Sequence, residues 1–263
     1  ILSWKGLDKV SILTLSGRQI ISTRIGGYQE ARLDRIVKQS DLIIRGGTFY
    51  LAVVVDAPEP SLNEPNGFLG VDLGIVNIAA DSDGVVYSGG QVNGLRKRHA
   101  KIRAKLQSNS SKAAKRLLKK RSKKERRFVA NVNHTISKRI VEKAKDTGRG
   151  IALEDLSGIR DRITVWRSQR RQHHSWAFRQ LRSFIEYKAR LAGVLVKIVD
   201  PKHTSQTCPH CGFVSKRNRL SQSLFSCVSC GFSSTADTVA ARIISSRASV
   251  NMPYISPASC GVG

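Results

Sequence analysis

Four cysteines fall into two pairs, Cys208-Pro209-His210-Cys211-Gly212 and Cys227-Val228-Ser229-Cys230-Gly231, with fifteen residues between them. Two residues inside each pair let one tight turn aim both thiols at a single ion. The glycine after each pair allows the backbone to bring amides toward sulfur. Four thiolates in a tetrahedron leave no open coordination position, so Cys208, Cys211, Cys227 and Cys230 are expected to hold a structural Zn2+. The alternatives are a redox pair, which lacks a thioredoxin-like context, and two disulfides, which need an oxidising compartment. His210 lies inside the first knuckle and Cys260 has no partner in the pattern; neither is read as a ligand.

A second set of residues offers oxygen rather than sulfur. Asp72 sits inside the strand-like run Gly70-Val71-Asp72-Leu73-Gly74, where an unpaired carboxylate is costly to bury. Glu154 ends the apolar run Ile151-Ala152-Leu153, and Asp237 opens the last helical segment. Singly, each has a plain explanation: a turn residue, a solvated strand end and a helix N-cap. Jointly, they fall on the first strand, the fourth strand and the last helix of a sheet that would bring them to one point. Three carboxylates there suit two Mg2+ ions roughly 3.5–4 Å apart, one activating water and one stabilising a leaving 3′ oxygen. Hard oxygen donors favour Mg2+ over zinc at this place.

Charge supplies the third signal. Lys and Arg number 45 against 19 Asp and Glu, a formal net charge of +26. An excess of that size suits a polyanion, because each phosphate contact releases condensed counterions. The stretch Arg96 to Arg127 holds sixteen Lys or Arg and one acid, Glu125. Within it, Arg96, Lys97, Arg98, Lys101, Arg103, Lys119, Lys120, Arg121, Lys123, Lys124, Arg126 and Arg127 are candidate phosphate contacts, joined later by Lys216, Arg217 and Arg219. A solvated linker is the plainer alternative. Few aromatics interrupt the run, so backbone contact is expected over base stacking. No stretch approaches the roughly 20 apolar residues of a membrane helix, and the expected location is a prokaryotic cytoplasm, at the nucleoid.

The elements that must position these residues follow from pattern. Short β-rich runs at Val10–Leu15, Gln19–Thr23, Leu42–Ile44 and Thr48–Val55 predict a small sheet or partial barrel. Pro58 to Gly67 reads as a linker. Strands are predicted at Phe68–Ile75, Asn77–Asp81 and Val85–Ser88, with Asp83-Gly84 as a tight turn. A basic helical stretch over 92–147 carries an apolar stripe of Phe128, Val132, Ile136 and Ile140. A strand at Gly150–Leu156, an amphipathic helix at Trp176–Ala192, a strand at Leu195–Val199 and a helix at about Thr238–Ser246 complete the order. The tail from Ala248 is expected to be loose. Three hairpin-connected strands followed by α/β crossovers is the RNase H-like order.

Together these motifs resemble the OrfB/TnpB family of insertion-sequence proteins, relatives of the compact type V CRISPR effectors. The resemblance rests on Gly70-Val71-Asp72-Leu73-Gly74, Ala152-Leu153-Glu154-Asp155-Leu156 and Thr204-Ser205-Gln206-Thr207-Cys208-Pro209. It extends to Lys216-Arg217-Asn218-Arg219, Phe225-Ser226-Cys227 and Ala236-Asp237 with Ala240-Ala241. It implies an α/β fold: an RNase H-like (RuvC-like) mixed sheet with an inserted zinc ribbon, preceded by a partial β-barrel (wedge-like) segment. The implied layout is 1–66 for the wedge-like segment and linker, 67–202 for the first part of the nuclease domain, 203–235 for a target-nucleic-acid-binding zinc ribbon, and 236–263 for the last helix and tail. The implied activity is RNA-guided, Mg2+-dependent DNA cleavage, with guide RNA and target DNA as partners. Val239 departs from the family by standing where an asparagine is usual, Ile243 stands near another usual asparagine, and the family's N-terminal helical recognition segment is expected to be missing.

Two other functions compete with a nuclease. A nuclease-inactive, RNA-guided DNA-binding protein of the same family is favoured by Val239 and by the expected absence of the N-terminal segment, and disfavoured by the presence of all three acids. A non-enzymatic zinc-ribbon RNA-binding protein has no need of acids inside apolar strands.

Overall fold

The computed structural model describes residues 2–6, 8–58, 60–62, 64–109, 111–156 and 178–250. The predicted start of a helix at Trp176, the end of the tail and Cys260 lie outside them. The chain divides into two compact units, one ending at Glu59 and the other starting at Pro60.

In the first unit, β1 (Leu2–Trp4), β2 (Lys9–Thr14) and β3 (Gly17–Ser22) form an antiparallel meander. After a one-turn helix, α1 (Gly27–Glu30), β4 (Ile36–Arg45) and β5 (Thr48–Val55) pair as a separate hairpin. Gly46 and Gly47 make its turn with φ values of 62° and 81°, which side chains with a Cβ rarely adopt. Among the described residues these strands form two separate sheets rather than one closed barrel.

The second unit is built on five strands: β6 (Phe68–Asp72), β7 (Asn77–Asp81), β8 (Val86–Ser88), β9 (Gly150–Glu154) and β10 (Val196–Val199). Their spatial order is β10-β9-β6-β7-β8. The β6-β7-β8 meander is antiparallel, whereas β9 and β10 run parallel to β6. Parallel neighbours require crossovers. Helices α2 (Gly90–Gln107) and α3 (Lys112–Asp146) lead from β8 to β9, and α4 (Phe178–Ala192) precedes β10. The basic helical stretch is therefore two helices; Ser111 caps the second, its hydroxyl accepting the Ala114 amide at 3.2 Å. A module with β11 (Leu224–Ser226) and β12 (Ser233–Thr235) follows, then α5 (Ala236–Val250). This last helix starts two residues earlier than its sequence pattern indicates and runs past Ala248, whose side chain it buries against the sheet.

The two faces of the sheet are sorted by the two-residue period of a strand. Leu69, Val71, Ile151 and Leu153 pack with Ile136 and Ile140 of α3 and Leu181 and Ile185 of α4. The alternate positions Phe68 and Ala152 pack with Ile244 and Ala248 of α5. Gly70, Asp72 and Glu154 share that parity and therefore belong to the α5 face. Asp81 is fully buried yet satisfied: Lys143 Nζ of α3 lies 2.7 Å away, and the Asp83 and Val85 amides donate to it at 3.1 and 2.9 Å.

Candidate functional site

Asp72 and Glu154 arrive at equivalent places. β6 and β9 are parallel, with Val71 opposite Leu153, so the acids that follow stand at the ends of neighbouring strands. Adjacent strands are about 4.8 Å apart. Asp237 reaches the same end in the first turn of α5. The helix lies close over β6 because Gly70 has no side chain: a Cβ there would stand 1.9 Å from the Ala241 carbonyl oxygen. Ser245 Oγ adds a 2.5 Å bond to the Phe68 carbonyl. Thr235, and not Asp237, precedes the helix, so the N-cap explanation for Asp237 does not hold.

The electrostatics agree with the geometry. Burial pushes the Asp72 carboxyl up to about 7, and the negative charges of Glu154 and Asp237 push in the same direction. Arg219, from the cysteine module, opposes them. Burial also raises Glu154, against the hydrogen bond from Thr204 and the nearby charge of Arg247. Thr204 Oγ1 donates to Glu154 Oε1, and Asn77 Nδ2 donates to Asp237 Oδ2 at 2.8 Å. The carboxylates form a looser set than the thiols: among the described residues, the ligating atoms that lie within 4.8 Å of one another belong to the four cysteines. Their donor chemistry, three acids crowded at the cost of a raised pKa, fits a hard divalent cation.

The sulfur site is compact. Sγ of Cys208 lies 3.7 Å from that of Cys230, and Cys211 lies 3.6 Å from Cys227. A tetrahedron with metal–sulfur bonds of 2.3 Å has edges of about 3.8 Å, whereas a disulfide bond is about 2.05 Å. The four thiols are thus spaced to hold a metal ion and are not bonded to each other. The His210 amide donates to Cys208 Sγ at 3.4 Å, while its ring lies parallel to Phe232, 6.3 Å between centroids. Asn218 joins the two knuckles: its Nδ2 donates to Gln206 O and Phe213 O at 2.9 and 3.0 Å, and its Oδ1 accepts the Val228 amide at 3.1 Å. Val239 of α5 is buried with Cys208, Phe225 and Cys227, which fixes the module to the helix that carries Asp237.

The predicted basic contacts separate into two groups. Lys97, Arg98 and Lys101 on α2, Lys119, Lys120, Lys123, Lys124, Arg126 and Arg127 on α3, and Lys216 and Arg217 in the cysteine module are exposed. Arg96, Arg103, Arg121 and Arg219 are half-buried. Arg103 is turned to Glu125 at 3.0 Å, and His99 Nδ1 lies 3.1 Å from the same oxygen. The one acid of the basic run therefore clasps α2 to α3. Sequence reasoning missed Asn77, Thr204 and the bridging role of Asn218. Thr204 and Asn218 lie inside motifs that carried the family resemblance, and Asn77 opens a strand whose middle, Ile78 to Ala80, is apolar.

The fold and sites define a class: a mixed α/β sheet with acids at its centre and a four-thiol module inserted before the last helix. Comparison with known proteins shows what that class is similar to. Residues 51–157 match the OrfB/IS605 family, described as probable transposase, and residues 178–244 match the Cas12f1-like TNB domain. The two matches include all three acids and all four thiol ligands. A CRISPR-associated endodeoxyribonuclease, Cas12f1 of Sulfoacidibacillus thermotolerans, is 29% identical over 257 residues, 90% of this chain and 58% of that protein. A TnpB-like protein of Methanocaldococcus jannaschii is 37% identical over 145 residues, 55% of this chain and 51% of that one. The fold is similar to that of a Cas12f1–sgRNA–target DNA complex, with a TM-score of 0.55 at 19% identity, covering 88% of this chain and 58% of that one. The chain thus spans between half and three fifths of the length of these relatives. The resemblance to the OrfB/TnpB family and to its compact CRISPR kin is borne out.

Proposed function

We propose that this chain carries the nuclease centre of an RNA-guided DNA endonuclease of a transposable element, with an RNase H-like (RuvC-like) sheet and guide RNA and target DNA as partners. One observation carries the reading: Asp72 and Glu154 end adjacent parallel strands on the sheet face covered by the helix that bears Asp237. A carboxylate cluster that pushes one member to about 7 is unfavourable without a cation, and three half-buried acids at the edge of the core are best explained by metal binding.

Asp72, Glu154 and Asp237 would hold Mg2+. When bound, such ions activate a water and stabilise the leaving 3′ oxygen of a phosphodiester. Asn77 and Thr204 each donate a hydrogen bond to one of the three acids. Arg219, within electrostatic reach of Asp72, is placed to meet the negative charge of a phosphate. The exposed lysines and arginines of α2 and α3 track a nucleic-acid backbone. The 203–235 module serves as a zinc ribbon over the target strand; four thiolates fit Zn2+, and the metal-ligand spacing found here supports it.

The nuclease-inactive reading rests in part on Val239. Val239 is a packing residue here, and Asn77 already supplies an amide to Asp237. The test is cleavage of guide-matched DNA by the chain with Mg2+, wild type against Asp72→Ala. Cleavage by the wild type alone supports the reading; equal cleavage by both rejects it.

A further inference from the structure

A cluster of three carboxylates has two opposite needs. Its members must be held firmly, yet each must keep oxygen atoms available for a cation. Hydrogen-bond donors that occupy one oxygen and spare the other satisfy both needs. Asp237 accepts one hydrogen bond among the described residues, from Asn77 Nδ2 to Oδ2 at 2.8 Å. Glu154 likewise accepts one, from Thr204 Oγ1 to Oε1.

The two donors come from elements that the sheet itself places. Asn77 is the first residue of β7, and a Cβ at Gly74 would stand 2.9 Å from the Asn77 carbonyl oxygen, so the turn that delivers it is tight. Thr204 lies in the loop after β10, whose last residue, Val199, pairs with Glu154. That loop turns back through His203, a non-glycine residue at φ 62°. Thr204 is buried, and its hydroxyl has one proton and two acceptors within reach: the Glu154 carboxylate and the Pro201 carbonyl at 3.1 Å. A charged acceptor outcompetes a neutral one. Thr204 is also four residues from Cys208, so the loop that aims Glu154 is anchored at its far end by a thiol ligand.

We propose that Asn77 and Thr204 are positioning residues. Each fixes one carboxylate of the acid cluster through a single hydrogen bond and leaves its second oxygen for a divalent cation. The inference rests on the nuclease reading of the acids and adds to it the side chains that set their orientation.

Mn2+ is the probe, its binding to the full chain followed by the EPR signal of the free ion, together with the cleavage rate of the guide-loaded chain at saturating target. The wild type is expected to bind Mn2+ in a way that Asp72→Ala loses. Asn77→Ala and Thr204→Val, the latter nearly isosteric, are expected to weaken Mn2+ binding or slow cleavage by about 10–100-fold with target affinity unchanged. Thr204→Ser, which keeps the hydroxyl, is expected to stay near wild type. Wild-type Mn2+ binding and cleavage in Asn77→Ala and Thr204→Val overturn the inference while leaving the nuclease reading intact. No Asp72-dependent Mn2+ in the wild type overturns both. A weakened variant that also loses its zinc or melts markedly lower overturns positioning for that residue and makes its role structural.

Discussion

Gly70 of β6 faces Ala241 of α5 so closely that a methyl group at Gly70 would lie 1.9 Å from the Ala241 carbonyl oxygen and 2.6 Å from the Ser245 amide nitrogen. Both neighbours are backbone, which cannot rotate aside. Gly70→Ala should therefore push α5 off the sheet, at a cost of about 1–3 kcal/mol or more from overpacking. It should also withdraw Asp237 from Asp72 without touching either acid. The check is thermal melting alongside cleavage: the expected result is a lower melting temperature and a large loss of rate, greater than that of Ala79→Gly elsewhere in the same sheet.

The four-thiol module should stand or fall as a unit with its metal. Cys211→Ser should remove the zinc found by elemental analysis, expected at about one ion per chain. Asn218→Ala deletes three hydrogen bonds that tie the knuckles together. Gln206 O and Phe213 O keep the Ser215 and Cys208 amides as donors, so the cost is that of the lost bonds themselves, about 0.5–1.5 kcal/mol each. Zinc retention should fall in both variants, and cleavage with it, because Val239 packs the module against the helix of Asp237.

The basic helices should bind phosphate rather than base. If roughly six phosphates are contacted, the slope of log affinity against log salt should be near −4 to −5. Replacing Lys119, Lys120, Lys123 and Lys124 with glutamine should flatten that slope and weaken matched and unmatched nucleic acid alike. Arg103→Gln should act differently: it breaks the clasp with Glu125, so its effect should appear in melting temperature.

Acid should loosen the sheet at Asp83. Its hydrogen bond to Arg149, reinforced by Lys143, holds the carboxyl well below the usual range. A depressed folded pKa means stabilisation that is complete above the unfolded value of about 3.9 and is lost as pH falls below it. The wild type should therefore lose melting temperature between about pH 4 and pH 2 more steeply than Asp83→Asn, a difference that differential scanning calorimetry would read.

Much of this arrangement was legible in sequence because its signals are local. Cysteine spacing alone places four ligands on one ion, and the apolar runs Phe68–Asp72 and Gly150–Glu154, each ending in an acid, read as buried strands. What escaped was set by contacts across the chain. Asn77 and Asp237 are 160 positions apart, and nothing near Asn77 marks its amide for a helix that far along. Thr204 donates to Glu154 only because β10 pairs with β9. The break between the two basic helices escaped because the charge continues through it to the turn that Ser111 caps. The partial barrel expected from β-rich runs is two separate sheets among the described residues, since alternation announces strands but not their partners.

The central claim is that Asp72, Glu154 and Asp237 act as one metal-dependent cutting site. Its most direct test is the single-turnover cleavage rate of Asp72→Ala against wild type, each loaded with guide RNA and given matched DNA and Mg2+. The carboxylate acts on the transition state through the ions it positions, so the rate should fall by orders of magnitude while target affinity stays nearly constant. The Glu154→Ala and Asp237→Ala proteins should be about as slow, and double variants little slower, because the acids act together. Asp72→Asn, which relieves repulsion among the acids, should melt no lower than wild type without metal, separating loss of chemistry from loss of fold. An Asp72→Ala protein that cuts matched DNA at the wild-type rate would contradict the account.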